Sequence, residues 1–201
     1  TMLKLNRRAM IALAAAATAA MTPALAQEAA TEAPGDFSLG SLDAPVKVVE
    51  YASFTCPHCA TFHANVFKNL KSEYIDTGKV HFTLREVYFD RYGLWAAMVA
   101  RCGGEMRYFS IADMIFDQQR EWAASDDATV VVENLKRIGR AAGLEDAAMD
   151  ACLKDGAMAQ AMVAHYQANA TADNLEGTPS FKINGTMHSN MSYDEMKAII
   201  D

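Results

Sequence analysis

Residues 48–59 read VVEYASFTCPHC, an apolar, β-branched run that leads straight into two cysteines, Cys56 and Cys59, spaced C-x-x-C. The Val-rich stretch 46–51 follows the turn-forming Asp43-Ala44-Pro45 and predicts a buried strand rather than an amphipathic surface one. Beyond it, Cys59, Phe62, Val66 and Leu70 recur at steps of three and four, which predicts a helix from about Pro57 that closes at Gly78. Pro57 suits the first helical position, where a missing N–H removes no useful hydrogen bond. Cys56 therefore stands at the helix edge, where unpaired N–H groups and the helix dipole favour an anion.

That placement predicts chemistry. Cys56 is expected to be the exposed nucleophile of low pKa, and Cys59, one turn deeper, to resolve the mixed disulfide by attacking Cys56. A protonated His58 would favour the Cys56 thiolate further. Glu50 lies six residues before Cys56 in an otherwise apolar strand. Buried near the dithiol, with its pKa raised by burial, it can relay a proton to or from Cys59; the other reading is an exposed acid at the strand end. The pair could also supply half of a zinc site, but no second CxxC and no tightly spaced Cys/His pair completes four ligands. No metal and no cofactor are expected.

Downstream, residues 79–87 predict a second strand with Val80, Phe82 and Leu84 facing one side. From Leu94 to about residue 172 the pattern becomes helical. Its stripes are Leu94, Met98 and Arg101-Cys102; Met106, Phe109 and Ile115-Phe116; and Val131, Leu135, Ile138 and Ala142. Further helices are expected over 146–153 and 157–168, with breaks at Gly103-Gly104, Gly143 and Gly156. β character returns after Gly177, where Asn184-Gly185 is a strong hairpin signal, and Ser192 to Glu195 has capping-box spacing for a last helix. Neither β-containing half has enough strands for a good sheet alone, so the order implies one α/β domain interrupted by a helical insertion. The expected parts are residues 36–90 and 169–201 for the α/β domain and 91–168 for the insertion.

Upstream, Lys4, Arg7 and Arg8 precede the apolar run 9–21, and Ala24-Leu25-Ala26 ends it with small-residue spacing. Residues 1–26 therefore read as a cleaved export signal, too short to anchor the chain as a spanning helix, and 27–35 as a flexible lead-in. Without residues 1–26 the net charge falls from -7 to -10, because the segment holds three basic and no acidic side chains. Such a charge repels phosphate backbones and anionic lipid surfaces, so no nucleic-acid partner and no electrostatic membrane attachment are expected, and with no other stretch that looks transmembrane no membrane insertion is expected either. With 201 residues and 51% hydrophobic content, the chain can build a sizeable core, for which the 12 methionines are filler or, near the dithiol, an apolar surface for unfolded clients. His63, His81, His165 and His188 show no ligand spacing, and surface or packing roles are expected for them.

Taken together, residues 48–59, the helical insertion and the segment GTPSFKING at 177–185 resemble the DsbA family of thioredoxin-fold dithiol oxidoreductases, in its alphaproteobacterial form. The likeness covers most of residues 36–201. It implies a thioredoxin-like fold with an inserted helical domain, and a periplasmic oxidase of newly exported proteins, reoxidised by a quinone-linked membrane partner. It assigns Cys56 as nucleophile, Cys59 as resolving thiol, Glu50 as buried acid and Pro179 as a cis-proline facing the dithiol. Thr178, Pro179 and Pro57 would then bind substrate, with Thr178 backbone groups offering strand-like hydrogen bonds. No dimerisation domain typical of the isomerases precedes the strand, which implies a monomer. An isomerase or reductase using the same dithiol is the nearest alternative, and a redox-inactive chaperone or binding module is a more distant one. Export also permits Cys102 and Cys152 to pair across two helices, closing a loop of about fifty residues for roughly 4 kcal/mol, with two buried core thiols as the competing reading.

Overall fold

The computed structural model describes residues 34–201; the expected export signal and residues 27–33 of the lead-in lie outside the described residues. Five strands form one sheet: β1 (Phe37–Leu39), β2 (Val46–Ala52), β3 (Val80–Glu86), β4 (Ser180–Ile183) and β5 (Thr186–His188), in the order β1-β3-β2-β4-β5. β2 is central, parallel to β3 and antiparallel to β4, and β1 and β5 add antiparallel edges. Alternation along β3 is strict, with Val80, Phe82, Leu84 and Glu86 buried. Each apolar side chain of that size contributes about 1.5–3 kcal/mol by leaving water.

Between β2 and β3 the chain runs through one continuous helical stretch: α1 (Pro57–Phe62), a π-helical turn (His63–Phe67), α2 (Lys68–Leu70) and a second π-helical turn (Lys71–Ile75). Its buried face is Cys59, Phe62, His63, Val66, Phe67, Leu70 and Tyr74. Phe62 meets Phe181 of β4 at 4.6 Å between ring centroids and Phe67 meets Phe82 of β3 at 4.9 Å, so the helix is clamped on the two strands that flank β2.

Six helices separate β3 from β4: α3 (Arg91–Cys102), α4 (Glu105–Asp117), α5 (Gln119–Trp122), α6 (Ala128–Ala141), α7 (Asp146–Lys154) and α8 (Gly156–Ala172). The last runs four residues beyond the expected end of the insertion at 168. Gly103-Gly104 and Gly143 fall in breaks between the helices and Gly156 opens α8, while the α4–α5 and α5–α6 breaks, at residue 118 and residues 123–127, hold no glycine. On α4 the buried face is Tyr108, Ile111, Ala112, Ile115 and Phe116, whereas Met106 is 98% exposed. At 3.6 residues per turn, Met106 lies half a turn away from Ile115, so it does not belong to the stripe expected to start there. Cys102 of α3 and Cys152 of α7 are joined in a disulfide, with Cα atoms 6.0 Å apart.

Buried charge fastens the block to the sheet. Tyr108 Oη donates to Glu86 Oε1 at 2.6 Å, and Arg101 Nε donates to Glu86 Oε2 at 2.7 Å. At the end of α8, Asp173 accepts from Tyr51 of β2 and from Lys182 of β4. The β4–β5 turn has Asn184 and Gly185 at φ 46° and 91°, the left-handed pair that a two-residue hairpin requires. α9 (Tyr193–Ile200) opens with the complete Ser192–Glu195 capping box.

Candidate active site

β2 runs out at Ala52, and residues 53–55 carry the chain to Cys56, the N-cap of α1, with extended φ -81° and ψ 117°. The Cys56 sulfur accepts from the Cys59 N–H at 3.4 Å, one of the donors that a helix start leaves unpaired. Two elements of the helical insertion hold this loop. Thr55 Oγ1 donates to Asp90 Oδ2 at 2.7 Å, and Asp90 in turn caps α3 by accepting from the N–H groups of Tyr92 and Gly93. From α5, the buried Gln119 donates through Nε2 to the carbonyls of Phe54 and Cys56, at 2.8 and 2.9 Å.

Across from the sulfur the Thr178–Pro179 peptide bond is cis, and the Thr178 carbonyl oxygen lies 3.4 Å from Cys56 Sγ. Beside it opens a groove of about 630 Å³ whose lining includes Glu176, Thr178, Pro179, Met187 and His188. On the opposite side of α1 a second groove of about 340 Å³ is lined by Pro57, Thr61, Phe116 and Glu121, among others.

The two sulfurs differ sharply. Cys56 keeps 9% exposure and Cys59 none, so Cys56 reaches the surface through a narrow opening rather than standing fully out of it. The Cys56 thiol is pulled down from 9.0 to about 5. The Cys59 thiol hydrogen-bonded to its sulfur contributes most; burial opposes the shift; the Thr178 hydroxyl and the N–H groups of Cys59 and His58 add to it. Cys59 moves the other way, raised far above the usual thiol range by burial first, then by its bond to Cys56 and the charge of Glu50. The Thr178 hydroxyl is buried without a full hydrogen-bond partner, and it favours the charged form of both sulfurs. The His58 ring is exposed, and His58 acts on Cys56 through its backbone N–H.

Behind Cys59, Glu50 is wholly buried and its Oε2 lies 3.0 Å from His63 Nε2. The His63 ring is stacked on Phe116 at 4.0 Å, and its Nδ1 lies 3.6 Å from Asp113 Oδ1 of α4. Burial works against charge on His63, but Glu50 and then Asp113 outweigh it and raise its pKa from 6.5 to about 9. Of the two roles expected for His63, the structure has packing and not surface, and adds the pairing with Glu50. Its position four residues after Cys59, on the same helical face, was the readable signal. Gln119 had no comparable signal, because a lone glutamine carries no spacing.

The structure gathers Cys56, Cys59, Glu50, Pro57, His58, Thr178 and Pro179 at one end of the central strand and places Cys102 and Cys152 in the helical block. Among the described residues no group of three or more His, Cys, Asp or Glu could hold a metal ion.

Two thiols of such unequal acidity, one turn apart at the head of a helix and opposite a cis-proline on a thioredoxin-like fold, are an arrangement suited to thiol–disulfide exchange. The thioredoxin family matches residues 32–201, and the chain belongs to it as a DsbA-like member. Alpha-DsbA1 of Wolbachia pipientis superposes with a TM-score of 0.77 at 30% identity, covering 84% of this chain and 90% of that one. A Rickettsia bellii relative named as a protein-disulfide oxidoreductase is 36% identical over 167 residues, 83% of this chain; the chain spans 63% of that relative's length. A Bacillus cereus relative named as a disulfide bond formation protein D is 33% identical over 175 residues, 82% of this chain and 76% of its own.

Proposed function

We propose that this protein is a dithiol oxidase that donates the Cys56–Cys59 disulfide to reduced, unfolded proteins after their export. The observation that carries this reading is the inequality of the two sulfurs, with Cys56 near 5 and Cys59 far above its ordinary value. A thiolate held more comfortably than in water stabilises the reduced form, so the oxidised pair gives up its disulfide readily.

In the forward direction a substrate thiolate attacks Cys56 Sγ. The Cys56–Cys59 bond breaks, its electron pair stays on the Cys59 sulfur, and Cys59 takes up a proton through Glu50. A second substrate thiolate then attacks the substrate sulfur of the mixed disulfide and expels Cys56 as a thiolate, a good leaving group because of its low pKa. Two electrons have entered the protein and one disulfide has formed in the substrate. The Thr178 carbonyl beside Cys56 and the adjoining groove hold the substrate as an extended segment, with Pro179 lining that groove and Pro57 next to Cys56 at the head of α1. A quinone-linked membrane partner removes the electrons. The export-signal pattern of residues 1–26 supports a periplasmic setting, and the Cys102–Cys152 disulfide suits an oxidising compartment. No helix among the described residues is long and apolar enough to cross a membrane, and the working form is taken as a monomer.

A redox titration of Cys56–Cys59 in a glutathione buffer, followed by oxidation of a reduced multi-cysteine substrate, tests the assignment. The expected result is a midpoint more oxidising than the glutathione couple and net disulfide formation. A strongly reducing midpoint without net oxidation rejects the oxidase reading, and efficient repair of a scrambled substrate moves the assignment to an isomerase.

A further inference from the structure

The Glu50–His63 pair is costly to bury, because two charged groups leave water for a low-dielectric interior, and a well-packed apolar pair would be as stable. Its position behind Cys59 gives it another use. During exchange the substrate sits over Cys56, the narrow opening through which the dithiol meets solvent, so a proton bound for the fully buried Cys59 is shut out from the front. Glu50 is itself fully enclosed and cannot collect that proton from water.

We propose that His63 and Asp113 connect Glu50 to solvent from behind, so that the proton exchanged with Cys59 travels by way of Glu50, His63 and Asp113. This rests on the reading of Glu50 as the relay to Cys59. His63 Nε2 is in hydrogen-bond contact with Glu50 Oε2 at 3.0 Å, and the other carboxylate oxygen, Oε1, is buried without a partner. His63 Nδ1 points the opposite way, 3.6 Å from Asp113 Oδ1, a gap that a small side-chain rotation closes. Asp113 is 39% exposed and completes the path to the surface. Phe116 and Phe67 pack on the ring and fix which nitrogen faces which carboxylate. The titratable groups facing His63 are Glu50 from β2 and Asp113 from α4, with the Cys59 thiol one turn back on its own helix; the Lys68–Asp117 pair lies further along at the surface. Glu50 and Asp113 raise the proton affinity of His63, which favours uptake of a proton at that ring.

When Cys59 leaves as a thiolate, the Nε2 proton of His63 passes to the Glu50 carboxylate and on to the Cys59 sulfur, as a proton from solvent arrives at the vacant Nδ1 by way of Asp113. When Cys59 later attacks a mixed disulfide on Cys56, its proton leaves by the same groups in reverse. Neither His63 nor Asp113 touches sulfur; both are positioning residues that act through Glu50.

The test is the closing step. Reduced protein is mixed with oxidised glutathione, concentrated enough that Cys59 attack on the Cys56–glutathione disulfide limits the rate, and closure is followed against pH. His63→Gln should slow closure by about tenfold or more and flatten its pH profile, less than the roughly hundredfold to ten-thousandfold of a group that transfers the proton directly. Asp113→Asn should slow it less. The Cys56 titration should stay in place in both variants, and adding His63→Gln to Glu50→Gln should cost nothing more, as expected for groups in series. Slow closure in Glu50→Gln with a wild-type profile in His63→Gln overturns the proposal and leaves the Glu50 reading standing. Equal slowing by His63→Gln in both backgrounds, or a shift of the Cys56 titration that accounts for it, also overturns the proposal. Wild-type closure in Glu50→Gln removes the Glu50 reading itself. Should His63→Gln fail to fold, the half-exposed Asp113→Asn decides alone, and an unchanged profile there overturns the route.

Discussion

The chain carries two cysteine pairs, and they differ in almost everything but the element. Cys102 and Cys152 stand 50 residues apart on two helices of the insertion and are joined. Cys56 and Cys59 stand three residues apart across the first turn of one helix, both free, one sulfur drawn toward the thiolate and the other held protonated. A bond between distant helices acts mainly by restricting the unfolded chain. A pair at a helix head acts through the donors around it, because each unit of pKa is a tenfold bias between charge states. The surroundings of the sulfur therefore decide whether a cysteine pair is a staple or a reagent.

Removing the staple gives the largest expected effect on stability. The double variant Cys102→Ala/Cys152→Ala should lose about 2–5 kcal/mol in denaturant unfolding while the Cys56 titration stays where it is. A displaced Cys56 titration would mean that the two pairs are coupled through α3 and α5, and the contrast between them would fail.

A smaller effect sharpens the other side of the comparison. The Cys56 pKa is lowered on folding, so the stability it contributes to the reduced protein is complete above the ordinary thiol value and is lost as pH falls through about 5. Measured by urea unfolding against Cys56→Ser, the reduced protein should gain about fiftyfold in its folding equilibrium between pH 5 and pH 7, most of it above pH 6. A difference that stays flat over that range would show a neutral thiol.

Much of this was legible in the sequence, for local reasons. β2, β3, the active-site helix and the β4–β5 hairpin each carry their own pattern: alternation, three- and four-residue steps, or Asn184-Gly185. β1 did not show, because three residues are too few to display a period. The loop supports were hidden for a different cause. Gln119 bonds to carbonyls 63 and 65 residues earlier in the chain, and only the packing of the insertion brings them together. His63 stood between the two, visible in the stripe Cys59, Phe62, Val66, Leu70, while its partner Asp113 arrives from α4. The openness of Cys56 was overstated for the same reason: spacing places it at the helix edge, while the Thr178–Pro179 loop, more than a hundred residues later, packs against its sulfur and leaves the residue 9% exposed.

The most direct measurement is the ultraviolet absorbance of the Cys56 thiolate followed through a pH titration of the reduced protein, with Cys56→Ser subtracted. The expected curve has its midpoint at about 5, with Cys59 silent over the same range. A midpoint near the ordinary thiol value of 9 would contradict the assignment of charge on which the oxidase mechanism stands.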